Sequence, residues 1–272
     1  MPHPTIEALL LGIIQGATEF LPVSSSAHLV IFPLVFHWEY FGKAFDVAAH
    51  LGTLLALLVY FRGELFGLVT GFFKSFCPGG LRNNPEGRLA WFMLISTTPA
   101  AIFGLLMGEW IAEHMNTVPK IASMLIIFGI ILFMADRFGA KKREIKDLTW
   151  ADALLIGLAQ ALALMPGVSR SGVTMTYALL AGFSRSASAR YSFLISIPVI
   201  AAAAIYQVGK MISCGYLTCP LIPTIVVILA STITGYVIVA FLLNFLKKNK
   251  FDVFVIYRTL LGLLLLYFAF LA

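Results

Sequence analysis

Six apolar runs set the outer limits of what this chain can become. They cover roughly 44–62, 90–110, 118–136, 188–208, 222–246 and 252–271. As helices, each is long enough to cross the ~30 Å of hydrocarbon in a bilayer. Inside lipid a backbone must satisfy its own polar groups, so a spanning segment is a helix or part of a closed barrel, and runs of this length read as helices. Composition agrees. The chain is 60% hydrophobic and only 12% charged, where a soluble domain carries about a quarter charged residues, and its mean hydropathy is +0.93. There is too little polar surface to cover a water-soluble globule of 272 residues. The expected fold is therefore an all-α polytopic membrane protein, with residues 1–272 forming a single integral membrane domain.

Two more stretches, 5–36 and 150–182, have a helical pattern interrupted by Pro, Gly and Ser clusters. They are expected to be re-entrant helix-loop-helix segments that enter the membrane and turn back. The basic residues test this layout. Placing the loops 62–89, 137–149, 183–190 and 247–250 on one side gathers 14 of the 19 Lys and Arg there. The opposite side keeps only Lys43, Lys120 and Lys210, while Arg170 and Arg258 fall inside apolar segments. Such asymmetry marks the cytoplasmic face, so the net charge of +6 reports orientation, not nucleic-acid binding. Both termini then lie outside, as do Cys214 and Cys219, which could pair there. Cys77 stands alone, no spacing suggests zinc, and the start, MPHPTIEALLLG, lacks the basic region of a cleaved signal peptide.

The two interrupted stretches echo each other. EALLLGIIQG at Glu7–Gly16 aligns with DALLIGLAQA at Asp152–Ala161 at an offset of 145, and each continues to a Pro and a serine-rich turn. A weaker echo pairs 92–100 with 192–200. With entry from opposite faces this is an inverted-topology repeat, residues 1–136 and 150–272, and such folds place their sites where discontinuous helices meet.

The polar residues gather at those breaks. In QGATEFLPVSSSAH, Gln15 and Glu19 share a helical face, Pro22 ends or kinks the helix, and Ser24, Ser25 and Ser26 open the next, with His28 just beyond. In MPGVSRSGVT, Pro166 and Gly167 break the helix, and Ser169, Arg170, Ser171 and Thr174 open the next. Ionisable groups in a membrane segment are expensive. A buried Glu–His pair that fixes packing, or an arginine that merely snorkels, would explain any one of them. Together they supply a carboxylate, an imidazole, hydroxyls, a guanidinium and two helix N-termini, which suits a phosphorylated ligand, and the apolar surroundings suit one with a long lipid tail. Glu19 could ligate a divalent cation or act as a base. Ser25 or His28 could be the nucleophile, or His28 could activate water. Gln15 is a weaker oxygen ligand. Asp46, four residues before His50, could line the outer mouth or help hold the cation. Arg258 reads as a structural or headgroup contact.

These two motifs resemble the signatures of the bacterial undecaprenyl-diphosphate phosphatase family, linked to bacitracin resistance. Gln15 and Glu19 match an acid-or-Gln, three residues, Glu pattern, and Pro166–Ser171 match Pro-Gly-x-Ser-Arg-Ser. The resemblance covers the whole chain. It implies hydrolysis of undecaprenyl diphosphate to undecaprenyl phosphate and inorganic phosphate, recycling the lipid carrier of cell-wall synthesis, in the bacterial inner membrane with a site opening toward the periplasm. It implies Glu19, Ser25, His28 and Arg170 as catalytic residues, with Gln15, Ser24, Ser26, Ser169, Ser171 and Thr174 on the phosphates and Mg²⁺ or Ca²⁺ as cofactor. The expected partners are a polyprenyl diphosphate lipid and the membrane, with no nucleic acid. A homo-oligomer is compatible with the sequence. A secondary transporter or flippase for a polyprenyl phosphate is the competing reading, and a non-catalytic protein that sequesters the carrier is a third.

Overall fold

A computed structural model describes residues 4–36, 38, 42–214 and 220–271, the side chains of Leu34 and Cys214 aside. The Cys214–Cys219 pairing lies outside the described residues. Six helices are long and apolar enough to cross a membrane: α3 (Lys43–Tyr60), α5 (Pro85–Met115), α6 (Val118–Phe138), α9 (Arg185–Cys214), α10 (Leu221–Phe245) and α11 (Asp252–Leu271). They coincide with the six apolar runs. No strand occurs among the described residues, and the chain is a multi-pass helical membrane protein.

The two interrupted stretches form helix–break–helix units. In the first, α1 (Pro4–Phe20) stops before Pro22 and α2 (Ser25–Phe36) starts three residues later. In the second, α7 (Trp150–Ala161) runs into a short 3₁₀ turn at Leu162–Leu164, and α8 (Arg170–Leu180) follows the Pro166–Gly167 break. Local chemistry fixes these ends. The Thr149 hydroxyl accepts from the Asp152 amide at 3.2 Å, and the Asp152 carboxylate accepts from the Thr149 amide at 2.9 Å, closing a capping box at the start of α7. Arg143 adds a two-pronged ion pair to the same carboxylate, at 3.0 and 2.5 Å.

One helix lies where sequence reading gave only a loop. α4 (Arg62–Lys74) follows α3 after a single residue, within the 62–89 loop. Its 13 residues are too few to span, and its Phe66, Val69 and Phe73 stay exposed, so a hydropathy scan for spans does not register it.

Packing brings the breaks together. α1 lies along α10, and α10 along α3; α7 lies along α5, and α5 along α9; α3 packs on α9 and α6 on α11. Arg258 of α11 is fully buried and sits between the two breaks. Its Nη1 donates to the Pro22 carbonyl at 3.2 Å, its Nη2 to those of Gly167 and Val168 at 3.0 and 3.1 Å, and its Nε to that of Leu125 at 2.9 Å. Breaking a helix frees backbone carbonyls that lipid cannot satisfy, and a guanidinium with five donors satisfies several at once. The arginine read from sequence as structural or headgroup-binding is thus an internal clamp.

Candidate active site

Glu19 stands in the last turn of α1, 7% exposed, and Arg170 opens α8. Arg170 Nη2 donates to Glu19 Oε1 at 3.0 Å. The two groups, 151 residues apart, come from the two different breaks, which answers the sequence expectation that those breaks converge. The second carboxylate oxygen, Oε2, accepts from Ser25 Oγ at 2.6 Å and from Gln15 Nε2 at 3.1 Å. A buried carboxylate needs such partners to remain charged.

Two buried atoms at this centre have no partner: Arg170 Nη1 and Gln15 Oε1. The guanidinium therefore spends one arm on Glu19 and holds the other, fully desolvated, in reserve. Leaving a charged donor unsatisfied is costly, and an anion placed against Nη1 relieves that cost. Ser25 is half-buried and Ser26 exposed.

The serines of the second break are engaged within the protein. Ser169 is the N-cap of α8, its Oγ accepting from the Gly172 amide at 3.1 Å and lying 3.2 Å from Ser171 Oγ. Ser171 Oγ donates to the Leu21 carbonyl at 3.0 Å, tying α8 to the first break. Thr174 Oγ1 donates to the Arg170 carbonyl at 2.8 Å and meets Ser192 of α9 at 2.7 Å. In the first break Ser24 Oγ and Ser26 Oγ are 3.1 Å apart. Ser24 and Ser169 both have positive φ, 74° and 72°, in a region that L residues occupy at a cost and that clusters at functional sites.

The imidazole nearest the acid differs from the one the motif suggests. His28 turns away from Glu19: its Nδ1 meets the Ser24 carbonyl and its Nε2 the Tyr257 hydroxyl, each at 2.7 Å. His50 of α3 is the neighbour, with Nε2 3.6 Å from Glu19 Oε2 and Nδ1 2.8 Å from the Asp46 carbonyl. The physical reason is the Ser24 backbone, whose positive φ rotates α2 so that Ser25 faces Glu19 and His28 faces α11. The sequence had singled out Asp46 and His50 as a four-residue pair on one face of α3, the one signal available for this contact. Nothing in it pointed to Tyr257.

A polytopic helical membrane protein with an acid, a hydroxyl and a half-free guanidinium gathered between two broken helices is the class defined so far. Comparison with known proteins places it within that class. Residues 8–264 match the family described as bacitracin resistance protein BacA, and the chain belongs to that family. Among its relatives, an undecaprenyl-diphosphatase of Hahella chejuensis is 47% identical over 258 residues, covering 94% of this chain and 95% of the relative. One of Saccharophagus degradans is 44% identical over 257 residues, covering 94% and 95%. One of Geobacter metallireducens is 44% identical over 266 residues, covering 97% and 98%.

Proposed function

We propose that this chain is an undecaprenyl-diphosphate phosphatase, releasing inorganic phosphate from undecaprenyl diphosphate to regenerate the monophosphate carrier of cell-wall synthesis, and that it confers bacitracin resistance in this way. The observation that carries the reading is the desolvated, partnerless Nη1 of Arg170, placed beside a carboxylate that already holds the Ser25 hydroxyl. The relatives named undecaprenyl-diphosphatase support the substrate.

Phosphoryl transfer is mainly positioning and charge neutralisation. Arg170 Nη1 takes a terminal phosphate oxygen. Ser25 Oγ attacks that phosphorus, its proton passing to Glu19 Oε2. The Oγ–P bond forms as the bridging P–O bond breaks, and the electron pair leaves with undecaprenyl phosphate. Once Glu19 has released its proton to solvent, it takes one from an attacking water and passes it to Oγ as the Oγ–P bond breaks. The water's other hydrogen stays on the released phosphate. Ser25 is favoured over His28 as nucleophile because it is the residue bonded to the base, while both His28 nitrogens are engaged elsewhere. Ser169, Ser171 and Thr174 serve by holding Arg170 and the α8 N-terminus in place, and the amides of that first turn add to the anion's cradle.

A divalent cation fits this centre only as a partner that arrives on the diphosphate. Among the described residues no three His, Cys, Asp or Glu side chains converge. Glu19 and the unpartnered Gln15 Oε1 are the two oxygens that would hold Mg²⁺ or Ca²⁺, which would keep most of its waters. When bound it would neutralise phosphate charge. Asp46 gives its carbonyl to His50.

The fold is best read as an inverted repeat, with both broken units re-entrant. Its support is a set of reciprocal close approaches. A Cβ on Gly12 would come within 2.7 Å of Ala230 Cβ and 2.9 Å of the Val227 carbonyl, and one on Gly157 within 3.1 Å of Pro99 Cδ and 2.7 Å of the Ser96 carbonyl. The two sets differ by 145 in the glycines and 131 in their partners. Gly129 meets Thr259, and Gly262 meets Ile126, each pair shifted by 133. These relations equate α1 with α7, α5 with α10 and α6 with α11. The echo between 92–100 and 192–200 equates α5 with α9 and does not follow them. Three candidate spans, α3, α5 and α6, separate the units, and an odd number inverts the second. With the basic loops cytoplasmic, α1–α2 dips in from the periplasm of a bacterial inner membrane and the site opens to that side.

Phosphate release from a long-chain prenyl diphosphate by purified protein, with and without chelator, tests the reading. Ser25→Ala and Glu19→Gln abolish it, and single-turnover quenching of the wild type traps phosphate on Ser25. Counterflow of a prenyl phosphate without hydrolysis would establish the transporter instead.

A further inference from the structure

We propose that Tyr257 is a positioning residue for this reaction, acting through His28 to hold the Ser24 peptide in the geometry that presents Ser25 to Glu19. The inference rests on Ser25 as the nucleophile.

The chain of contacts is short and directional. The Ser24 carbonyl can only accept, so the His28 Nδ1 lying 2.7 Å away carries the hydrogen. A neutral ring then presents a lone pair at Nε2, and the Tyr257 hydroxyl, 2.7 Å distant, donates to it. The imidazole is 2% exposed and its bond to the Ser24 carbonyl is buried, while the Tyr257 hydroxyl reaches it from a side chain that is 46% exposed. The two rings are also stacked, with centroids 5.7 Å apart and planes 9° from parallel. The stack continues up one face of α2 and beyond it, from His28 to Phe32, Phe36 and Trp38, with centroids 6.1, 5.8 and 5.2 Å apart. The spacing 28, 32, 36 repeats the helical turn, so α2 is braced along its length, with the 46%-exposed Tyr257 as the ring at the other end of the stack.

What this brace fixes is Ser24. Its φ of 74° is a conformation that L residues adopt only at a cost and keep only where the surroundings enforce it. The backbone offers little enforcement, since the His28 amide reaches the same carbonyl at a long 3.4 Å; the imidazole bond at 2.7 Å is the firm one. Ser25, one residue on, places Oγ 2.6 Å from Glu19 Oε2. The neighbouring Arg258 holds the other end of the same break through Pro22. Two consecutive residues of α11 thus grip both ends of residues 21–24, and only Tyr257 does so through a side chain that can be altered by a single atom.

Tyr257→Phe keeps the ring in its stack and removes the hydroxyl. Loss of one such hydrogen bond is expected to lower kcat about tenfold, with KM unchanged. The rate at which phosphate appears on Ser25 in a single turnover falls by the same factor, and ¹⁵N spectra show His28 losing its single Nδ1–H tautomer. Tyr267→Phe, on an exposed residue of the same helix (60% exposed), stays at wild-type values. Unchanged kcat and Ser25 phosphorylation in Tyr257→Phe overturn the proposal, as does a change confined to the unfolding midpoint. The nucleophile reading is tested separately: turnover retained by Ser25→Ala removes it, and the role of Tyr257 with it.

Discussion

Replacing Arg170 by lysine separates the two functions that its fork performs. In the protein Nη2 is committed to Glu19 at 3.0 Å, while Nη1 is buried with no partner. Lysine keeps the positive charge beside Glu19 but offers a single ammonium where the arginine presents two fixed arms. It can satisfy the carboxylate or reach the phosphate, not both in the arginine's geometry. A hydrogen bond to a charged group contributes about 1.5–3 kcal/mol, and each 1.36 kcal/mol is a factor of ten in rate. The expected loss in kcat/KM for Arg170→Lys is therefore roughly 10- to 150-fold, with little change in folding stability. Arg170→Ala behaves differently. It strands a carboxylate that is 7% exposed, a defect of about 3–5 kcal/mol where one member of a buried pair is removed, so it loses both turnover and thermal stability. The assay is phosphate release from a prenyl diphosphate in detergent, paired with thermal unfolding of the same samples. Wild-type kcat/KM in Arg170→Lys would refute the claim that the free arm of the guanidinium receives the phosphate.

Three other perturbations address the scaffold. Gly167→Ala places a Cβ against the Ile121 carbonyl at a φ of 94°, so detergent melting should show a loss of more than about 1 kcal/mol. Arg258→Met leaves the carbonyls of Pro22, Gly167 and Val168 without their donor. At about 1–3 kcal/mol for each stranded group the folded yield should collapse, and a normal size-exclusion profile would contradict the clamp. Arg143→Ala removes the ion pair to Asp152 at the start of α7 and the bond to the Ala181 carbonyl, 2.9 Å away; proteolysis at the 139–149 loop should accelerate while KM holds.

The parts of this molecule that were legible in the sequence are those governed by one-dimensional physics. Spans follow from apolar length, and α3, α5, α6, α9, α10 and α11 lie where the six runs lie. The breaks follow from Pro22 and Pro166–Gly167. On the inverted-repeat reading proposed above, the meeting of Glu19 with Arg170 follows from the shared motif and an odd number of intervening spans, since units entering from opposite faces would converge at mid-depth. α4 escaped because an apolar helix too short to span resembles a loop to any rule built on span length. The hydroxyls of Ser169, Ser171 and Thr174 looked like anion ligands because serines at a helix start serve equally as caps and as donors, and only the positions of Gly172, Leu21 and Ser192 decide between those uses.

The histidines show where such reasoning stops. His28 lies nine residues from Glu19 across the break and His50 on a separate span beside Asp46, and hydropathy does not say which imidazole meets the acid. The choice is made by one dihedral. With φ of Ser24 at 74°, α2 leaves the break with Ser25 toward α1 and His28 toward α11; with an ordinary negative φ the helix would leave along a different direction and register. Serine carries no preference for that conformation, so the sequence around residue 24 does not announce it. It is imposed from α11, more than two hundred residues away, by the hydroxyl of Tyr257 on His28 and the guanidinium of Arg258 on Pro22. The catalytic geometry of the first motif is thus set by a helix that contributes no residue to the proposed chemistry, which is why substitutions in α11 are expected to change turnover without touching the substrate.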